Sequence, residues 1–348
     1  MQKPEDEREV VLRASGLVRR FATGSPLRPA SVSAVDGVSL ELRSGEVVGI
    51  VGESGCGKST FARMLVGLER PDEGTLEYRG KPVGGRARNS RWLREGVQMI
   101  FQDPYASLDP RMTVMEIVTE PLAATRRIGR AARRARATEL LGLVGLGPDA
   151  LDRYPHQFSG GQRQRVGIAR ALALDPDVLV CDEPVSALDV SVQAQVINLL
   201  ADIRSRLGVS IVFIAHDLAV VRHIADRVAV MYLGRIAEIG ETDELFARPA
   251  HPYTQALLSA IPTATHAGRG RLAGRRVLQG EPPSPVDPPA GCRFHPRCWM
   301  ATEECRTVAP RLRTLQASGP ERGDRLVSCH HAEKSLQPDA PDAGAAVA

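Results

Sequence analysis

Gly52-Glu53-Ser54-Gly55-Cys56-Gly57-Lys58-Ser59-Thr60 matches the phosphate-loop pattern G-x-x-x-x-G-K-[ST]. Its surroundings suit the pattern. Val47-Val48-Gly49-Ile50-Val51 is a short apolar run of the kind that forms a buried parallel strand. After the loop, Phe61, Leu65 and Leu68 recur at helical spacing, so a helix is expected to begin at the loop's end. Glycines let backbone N–H groups curl around phosphate oxygens, and a helix N-terminus adds favourable partial charge. Lys58 is placed to reach the terminal phosphates and Ser59 to ligate Mg²⁺. The chain is therefore expected to bind a nucleoside triphosphate.

A second apolar run, Val178-Leu179-Val180-Cys181, ends in Asp182-Glu183-Pro184. Carboxylates at the carboxyl end of a parallel strand face the crevice where open α/β sheets bind ligands. Asp182 is expected to hold Mg²⁺ and Glu183 to polarise the attacking water. The competing reading, acids that merely cap a strand end, leaves two adjacent carboxylates on a hydrophobic strand without a cation. A third element, Phe158-Ser159-Gly160-Gly161-Gln162-Arg163-Gln164-Arg165, precedes an apolar helix. Ser159 as N-cap followed by two glycines offers a second anion-facing helix start. Two such starts in one chain suggest that two copies sandwich a nucleotide.

Taken together, these motifs resemble the ATPase subunits of ABC transporters. The resemblance implies a P-loop α/β fold, with a mixed sheet core and an inserted helical subdomain. It implies that Gln102, in Met99-Ile100-Phe101-Gln102-Asp103-Pro104, senses Mg²⁺ and couples to a permease. Ser186-Ala187-Leu188-Asp189 corresponds to the loop that crosses the dimer interface. His216, after Ile211-Val212-Phe213-Ile214-Ala215, is implied to contact the γ-phosphate, and Phe21 to stack on adenine. Phe158 stands where the family's signature usually opens with Leu. Both are apolar, and the Ser159–Gln162 core that would face the partner's ATP is intact. The sequences Phe101 to Arg111, Asp182 to Ser191 and His251-Pro252-Tyr253-Thr254 narrow the resemblance to oligopeptide/dipeptide importers, and to the second of their two ATPase types. The implied partners are a related second ATPase, two transmembrane permeases and an extracytoplasmic solute-binding protein, with this chain on the cytoplasmic face of the membrane. Peptides are the implied solutes, nickel and sugars being carried by related importers.

Composition agrees. A chain of 348 residues, 43% hydrophobic and 25% charged, holds one large α/β domain plus an appendage. No apolar run approaches the ~20 residues needed to span a bilayer, so separate membrane subunits are required. The net charge of +4 is too mild to imply nucleic acid. The expected organisation is a flexible segment at 1–10, a cassette at 11–245 with its helical subdomain near 103–176, a loop-rich extension at 246–333, and a disordered tail at 334–348. Arg126, Arg127, Arg130, Arg133, Arg134 and Arg136 form a basic run, read as a solvated helix face in preference to a lipid or nucleic-acid surface.

Four of six cysteines, Cys292, Cys298, Cys305 and Cys329, gather near the C-terminus, separated by five, six and twenty-three residues. Clustered cysteines without a secretion signal favour metal over disulfides, and these spacings lack the C-x-x-C knuckles of structural zinc. Cys₄ ligation permits an iron–sulfur cluster. The resemblance supports a [4Fe–4S] cluster of structural role, with zinc and free thiols as alternatives. His295, His330 and His331 are expected at the surface. A soluble ABC-type ATPase of translation or DNA repair is the other functional class. It is disfavoured by the single cassette and by the absence of a long insertion between Lys58 and Ser159.

Overall fold

The computed structural model describes residues 8–25, 28–83, 91–103, 107–125, 128–261, 278, 280–315 and 325–336. Twelve strands are present among them: β1 (Val10–Ser25), β2 (Arg28–Arg43), β3 (Val47–Val51), β4 (Glu73–Tyr78), β5 (Lys81–Pro82), β6 (Val97–Ile100), β7 (Val178–Asp182), β8 (Ser210–Ala215), β9 (Arg227–Tyr232), β10 (Arg235–Glu241), β11 (Arg313–Thr314) and β12 (Leu326–Val327). The central sheet runs β11-β12-β10-β9-β3-β8-β7-β6, and β2-β1-β4-β5 form a second, antiparallel sheet. Pairing is parallel from β6 through β7, β8 and β3 to β9.

The three apolar runs read from sequence are β3, β7 and β8, and every residue of each is buried. Side chains alternate across the sheet. Val47, Val51, Leu179, Cys181, Ile211 and Phe213 pack on the face covered by the helices Val114–Thr125, Arg130–Leu143 and Gly160–Ala171. Val48, Ile50, Val178, Val180, Val212 and Ile214 pack on the opposite face, against the antiparallel sheet and the helix Lys58–Leu65. Both faces being covered explains why these strands read as continuous apolar runs. Burying a side chain such as Phe213 contributes about 1.5–3 kcal/mol. Cys56 and Cys181 are both buried within this core, and burial pushes both thiols up.

The C-terminal strands do not form a separate sheet. β12 pairs antiparallel with β10 (Glu238 opposite Val327, Ile239 opposite Leu326), and β11 pairs with β12. A buried ion pair fixes this edge. Arg325 Nε donates to Glu238 Oε1 at 2.9 Å, with the two side chains 1% and 0% exposed. Glu238 also accepts the N–H groups of Ala250 and His251, both at 2.9 Å.

On the helix Arg130–Leu143 the basic run is a paired face. Arg133 donates to Thr119 Oγ1 at 2.9 Å, Arg134 lies 2.9 Å from Asp152, and Arg136 pairs with Glu139 and Asp175. Arg126 and Arg127 lie outside the described residues, as do Pro104, residues 1–7, most of the Pro/Gly-rich stretch 262–290 and residues 337–348.

Candidate functional site

The phosphate loop connects β3 to the helix Lys58–Leu65, as its sequence implies. Gly57 is the helix N-cap, with φ 106°. A Cβ there would lie 1.9 Å from Ala34 O, so this position tolerates no side chain. Lys58 is buried and curls back over its loop. Its Nζ donates to Gly52 O at 2.8 Å and to Glu53 O at 3.0 Å, and lies 3.9 Å from Glu183. Ser59 and Thr60 follow in the first turn, while Ser54 and Gly55 are exposed at the loop's tip.

The strand ends bring the remaining groups to the same cleft. Ser59 Oγ donates to Asp182 Oδ1 at 2.9 Å. Gln102 Nε2 donates to Glu183 Oε2 at 3.0 Å, and His216 Nδ1 lies 3.7 Å from the same oxygen. Burial pushes the Asp182 carboxyl up, against the Ser59 hydrogen bond that favours its charged form. A buried carboxylate of this kind, beside a hydroxyl at the head of a phosphate loop, is a donor set that fits Mg²⁺. Glu183 has φ 45°, in the left-handed region where a non-glycine residue costs of the order of 1–3 kcal/mol. Its N–H donates to Ile214 O at 3.0 Å, which fixes the backbone in that conformation.

Ser159 caps the helix Gly160–Ala171 through a capping box. Gln162 N–H donates to Ser159 Oγ and Ser159 N–H to Gln162 Oε1. Both side chains are exposed, while Phe158 is buried at 6%. Phe158 fills an apolar position, as a Leu would. A Cβ on Gly161 would meet Val192 Cγ1 at 2.5 Å, so the glycine at 161 lets this helix start sit close against Val192. Phe21 lies on β1, with the Arg19 guanidinium 4.7 Å from its ring centroid.

Two residues that touch the phosphate loop were not read from sequence. Glu53 N–H donates to Tyr253 Oη at 3.0 Å, and the Glu53 carboxylate accepts a bidentate pair from Arg297 at 2.8 and 3.0 Å. Both partners come from the C-terminal extension. The run His251-Pro252-Tyr253-Thr254 gives part of the signal. His251 caps the helix Pro252–Ser259 by accepting from Tyr253 N–H, and Pro252 occupies the first turn. That places Tyr253, fully buried, beneath the loop.

The extension carries a second concave feature. Cys292, Cys298, Cys305 and Cys329 line one cavity, together with His251, His295, His330, His331 and Met300. Burial pushes the Cys298 and Cys329 thiols up to about 12 and raises Cys292 as well. Among the described residues, no group of three or more His, Cys, Asp and Glu side chains is arranged to hold a metal ion. His295, His330 and His331 are each half-buried. His295 Nδ1 lies 2.9 Å from Cys292 O, His330 Nε2 lies 3.0 Å from Val308 O, and His331 Nε2 lies 3.0 Å from Thr302 Oγ1. Their rings brace the cavity's loops, which a sequence spacing does not reveal.

A phosphate loop, an acidic strand end, a glutamine and a histidine on one carboxylate, and a second glycine-led helix start together define an ATP-binding cassette. Comparison with known proteins agrees. Residues 35–186 match the ABC transporter family, and residues 237–305 match the oligopeptide/dipeptide transporter C-terminal region. The chain is 50% identical to the di/tripeptide transport ATP-binding protein DppF of Pseudomonas aeruginosa (strain UCBPP-PA14), over 94% of this chain and 99% of that protein. It is 52% identical to the oligopeptide transport ATP-binding protein OppF of Salmonella typhimurium, over 82% of this chain and 85% of that protein. Among solved structures, the ATP-binding cassette MJ0796 in a post-hydrolysis dimer with ADP and Pi superposes with TM-score 0.59 at 29% identity, covering 66% of this chain and 98% of that one. CbiO1 of Clostridium perfringens, part of a cbiONQ transporter, superposes with TM-score 0.61 at 30% identity, covering 69% and 91%. The chain belongs to the ABC transporter family, as an ATPase of the branch that carries the oligopeptide/dipeptide C-terminal region. No helix among the described residues is long and apolar enough to cross a membrane.

Proposed function

We propose that this ATPase powers uptake of dipeptides or oligopeptides, working at the cytoplasmic face of the membrane. In this reading it acts with two permeases, an extracytoplasmic binding protein and a related second ATPase. The observation that carries the proposal is the near full-length similarity, at about half identity, to ATP-binding proteins named for peptide transport. The working division is a cassette at 11–245, with its helical subdomain near 103–176, followed by the extension at 246–333.

In the mechanism we infer, ATP lies along Gly52–Thr60, with Phe21 against adenine and Lys58 on the terminal phosphates. Ser59, Asp182 and Gln102 would hold Mg²⁺, which neutralises charge on the β- and γ-phosphates when bound. The partner ATPase's segment equivalent to Ser159–Gln162 closes over the same ATP, as Ser159–Gln162 closes over the partner's. The dimeric state recorded for MJ0796 supports such a closure. Glu183, already paired with Gln102 and within 3.7 Å of His216, orients water for in-line attack. Lys58 and His216 offset the charge that develops on the γ-phosphate.

Affinity purification from gently solubilised membranes tests the assembly. Recovery of two permeases, a second ATPase and a binding protein is expected. Recovery of ribosomes or DNA-repair proteins with no membrane partner would overturn it.

For the cysteine cavity we infer a [4Fe–4S] cluster. Support for this reading comes from the four thiols that line one cavity. In such a site the cysteines would bind as thiolates, so loading would release protons. Anaerobic purification is expected to yield about four equivalents each of iron and sulfide. Stoichiometric zinc without iron would reject the cluster.

A further inference from the structure

The cysteine-bearing loop and the phosphate loop are joined by one side chain. Arg297 sits immediately before Cys298, only 6% exposed, and both its terminal nitrogens reach Glu53, the second residue of the phosphate loop. The same guanidinium lies 3.5 Å from Tyr232 Oη. Around it, Tyr232, Tyr253 and Phe294 form a continuous aromatic cluster, with ring centroids 4.6 to 5.4 Å apart. Tyr253 from that cluster accepts the Glu53 N–H. Neither the carboxylate nor the N–H of Glu53 is therefore free to meet a phosphate.

Two physical consequences follow for nucleotide binding. A carboxylate at this position stands beside a triphosphate and repels it unless its charge is neutralised locally, and a buried bidentate guanidinium does this with fixed geometry. A loop whose first turn is already tethered also has less conformational freedom to lose when phosphate orders it. The pairing further holds Arg297 in its charged form, because the hydrogen bonds to Glu53 raise its already high pKa.

We propose that Arg297 is a positioning residue for ATP: through Glu53 it presets the start of the phosphate loop and neutralises the one acid within it. The C-terminal extension thereby becomes a working part of the nucleotide site, beyond any role in holding a cluster. The inference rests on the ATPase reading but not on the solute or on the metal.

The test is a double-mutant cycle in the full-length chain, reading the dissociation constant for ATP, with KM and kcat in the assembled transporter. Arg297→Ala is expected to weaken ATP binding and raise KM about five- to tenfold, with kcat within about twofold, the size of one charge-assisted contact. Arg297→Lys, which keeps the charge and loses the fork, should recover most of that loss. In a Glu53→Gln background, where no charge needs neutralising, Arg297→Ala should cost less than about twofold. Should Arg297→Ala fail to fold, Tyr253→Phe keeps the ring packing and deletes only the acceptor of the Glu53 N–H, and should weaken ATP two- to fivefold. Arg313→Ala, which breaks the pair with Glu333 elsewhere in the extension, is the structural control and should leave the ATP dissociation constant as it is. The proposal is overturned if Arg297→Ala costs the same in both Glu53 backgrounds. It is equally overturned if Arg297→Ala and Tyr253→Phe bind ATP like the unaltered protein.

Discussion

The nucleotide cleft and the cysteine cavity are built in opposite ways, although an aromatic cluster joins them. In the cleft, polar groups pair with one another across strand ends: Ser59 with Asp182, Gln102 with Glu183, and Lys58 with its own loop. The backbone of its phosphate loop comes from contiguous residues held by one strand-to-helix turn. In the cavity, four thiols arrive from positions 292 to 329, on loops and one five-residue helix, and burial pushes Cys292, Cys298 and Cys329 up. The phosphate loop is formed by local structure, with Asp182, Glu183 and Gln102 brought to it at neighbouring strand ends, whereas the cavity exists only because tertiary packing closes it. Disabling the cleft should therefore spare the fold, while disturbing the ties of the extension should not.

The largest expected effect falls on the cleft. Glu183→Gln keeps the hydrogen bond from Gln102 within reach but removes the carboxylate that orients water. ATP turnover should fall about 10²- to 10⁴-fold. ATP binding and thermal stability should stay close to those of the unaltered protein, and ATP should trap a closed dimer. Hydrolysis at the ordinary rate would remove Glu183 from the mechanism. A collapse of stability would instead break the contrast between the cleft and the rest of the chain.

Next comes the edge where the extension joins the sheet. Arg325→Ala leaves Glu238 fully buried, with only the Ala250 and His251 N–H groups as partners. Removing one partner of a buried pair costs about 3–5 kcal/mol. Denaturant unfolding should show that loss, and limited proteolysis should cut first in the extension. A cost below about 1 kcal/mol, the value of an exposed pair, would show that the extension is not held through Arg325.

The same contrast explains what could be read in advance. The strands β3, β7 and β8 were legible because burial on both faces leaves nothing but apolar residues. The phosphate loop was legible because Gly52, Gly55 and Gly57 fall within six residues of one another, directly before Lys58 and Ser59. The long hairpin of β1 and β2 was not, because four register shifts between Val10 and Arg20 erase any two-residue alternation. β11 and β12 are two residues each, too short to carry a periodic signal. His251-Pro252-Tyr253-Thr254 could be recognised as a segment, yet nothing in it says that Tyr253 meets Glu53, 200 residues earlier. Arg297 was silent for the same reason. An arginine beside a cysteine has no local signature, and its partner is set by how the extension docks on the cassette.

The smallest effect comes from His251, which stands between the two regions and tests whether that docking responds to pH. Its ring is 3% exposed, accepts the Tyr253 N–H, and packs 5.7 Å from Phe294. Burial lowers its pKa from 6.5 to about 4, and only partly does the nearby Glu238 charge oppose this. The unfolded chain therefore takes up a proton at higher pH than the folded one. Stability from this residue is intact above about pH 6.5, is lost as the pH falls towards 4, and changes no further below it. Over that window the loss approaches about 3 kcal/mol. His251→Asn offers a side-chain oxygen to the same N–H and cannot titrate. Unfolding free energies measured between pH 7 and 4.5 should fall more steeply for the unaltered protein than for this variant, the difference isolating His251 from the carboxylates that titrate in both. Parallel curves would mean that the ring is protonated in the folded state at near-neutral pH, and that the packing between cavity and cleft is looser than these contacts indicate.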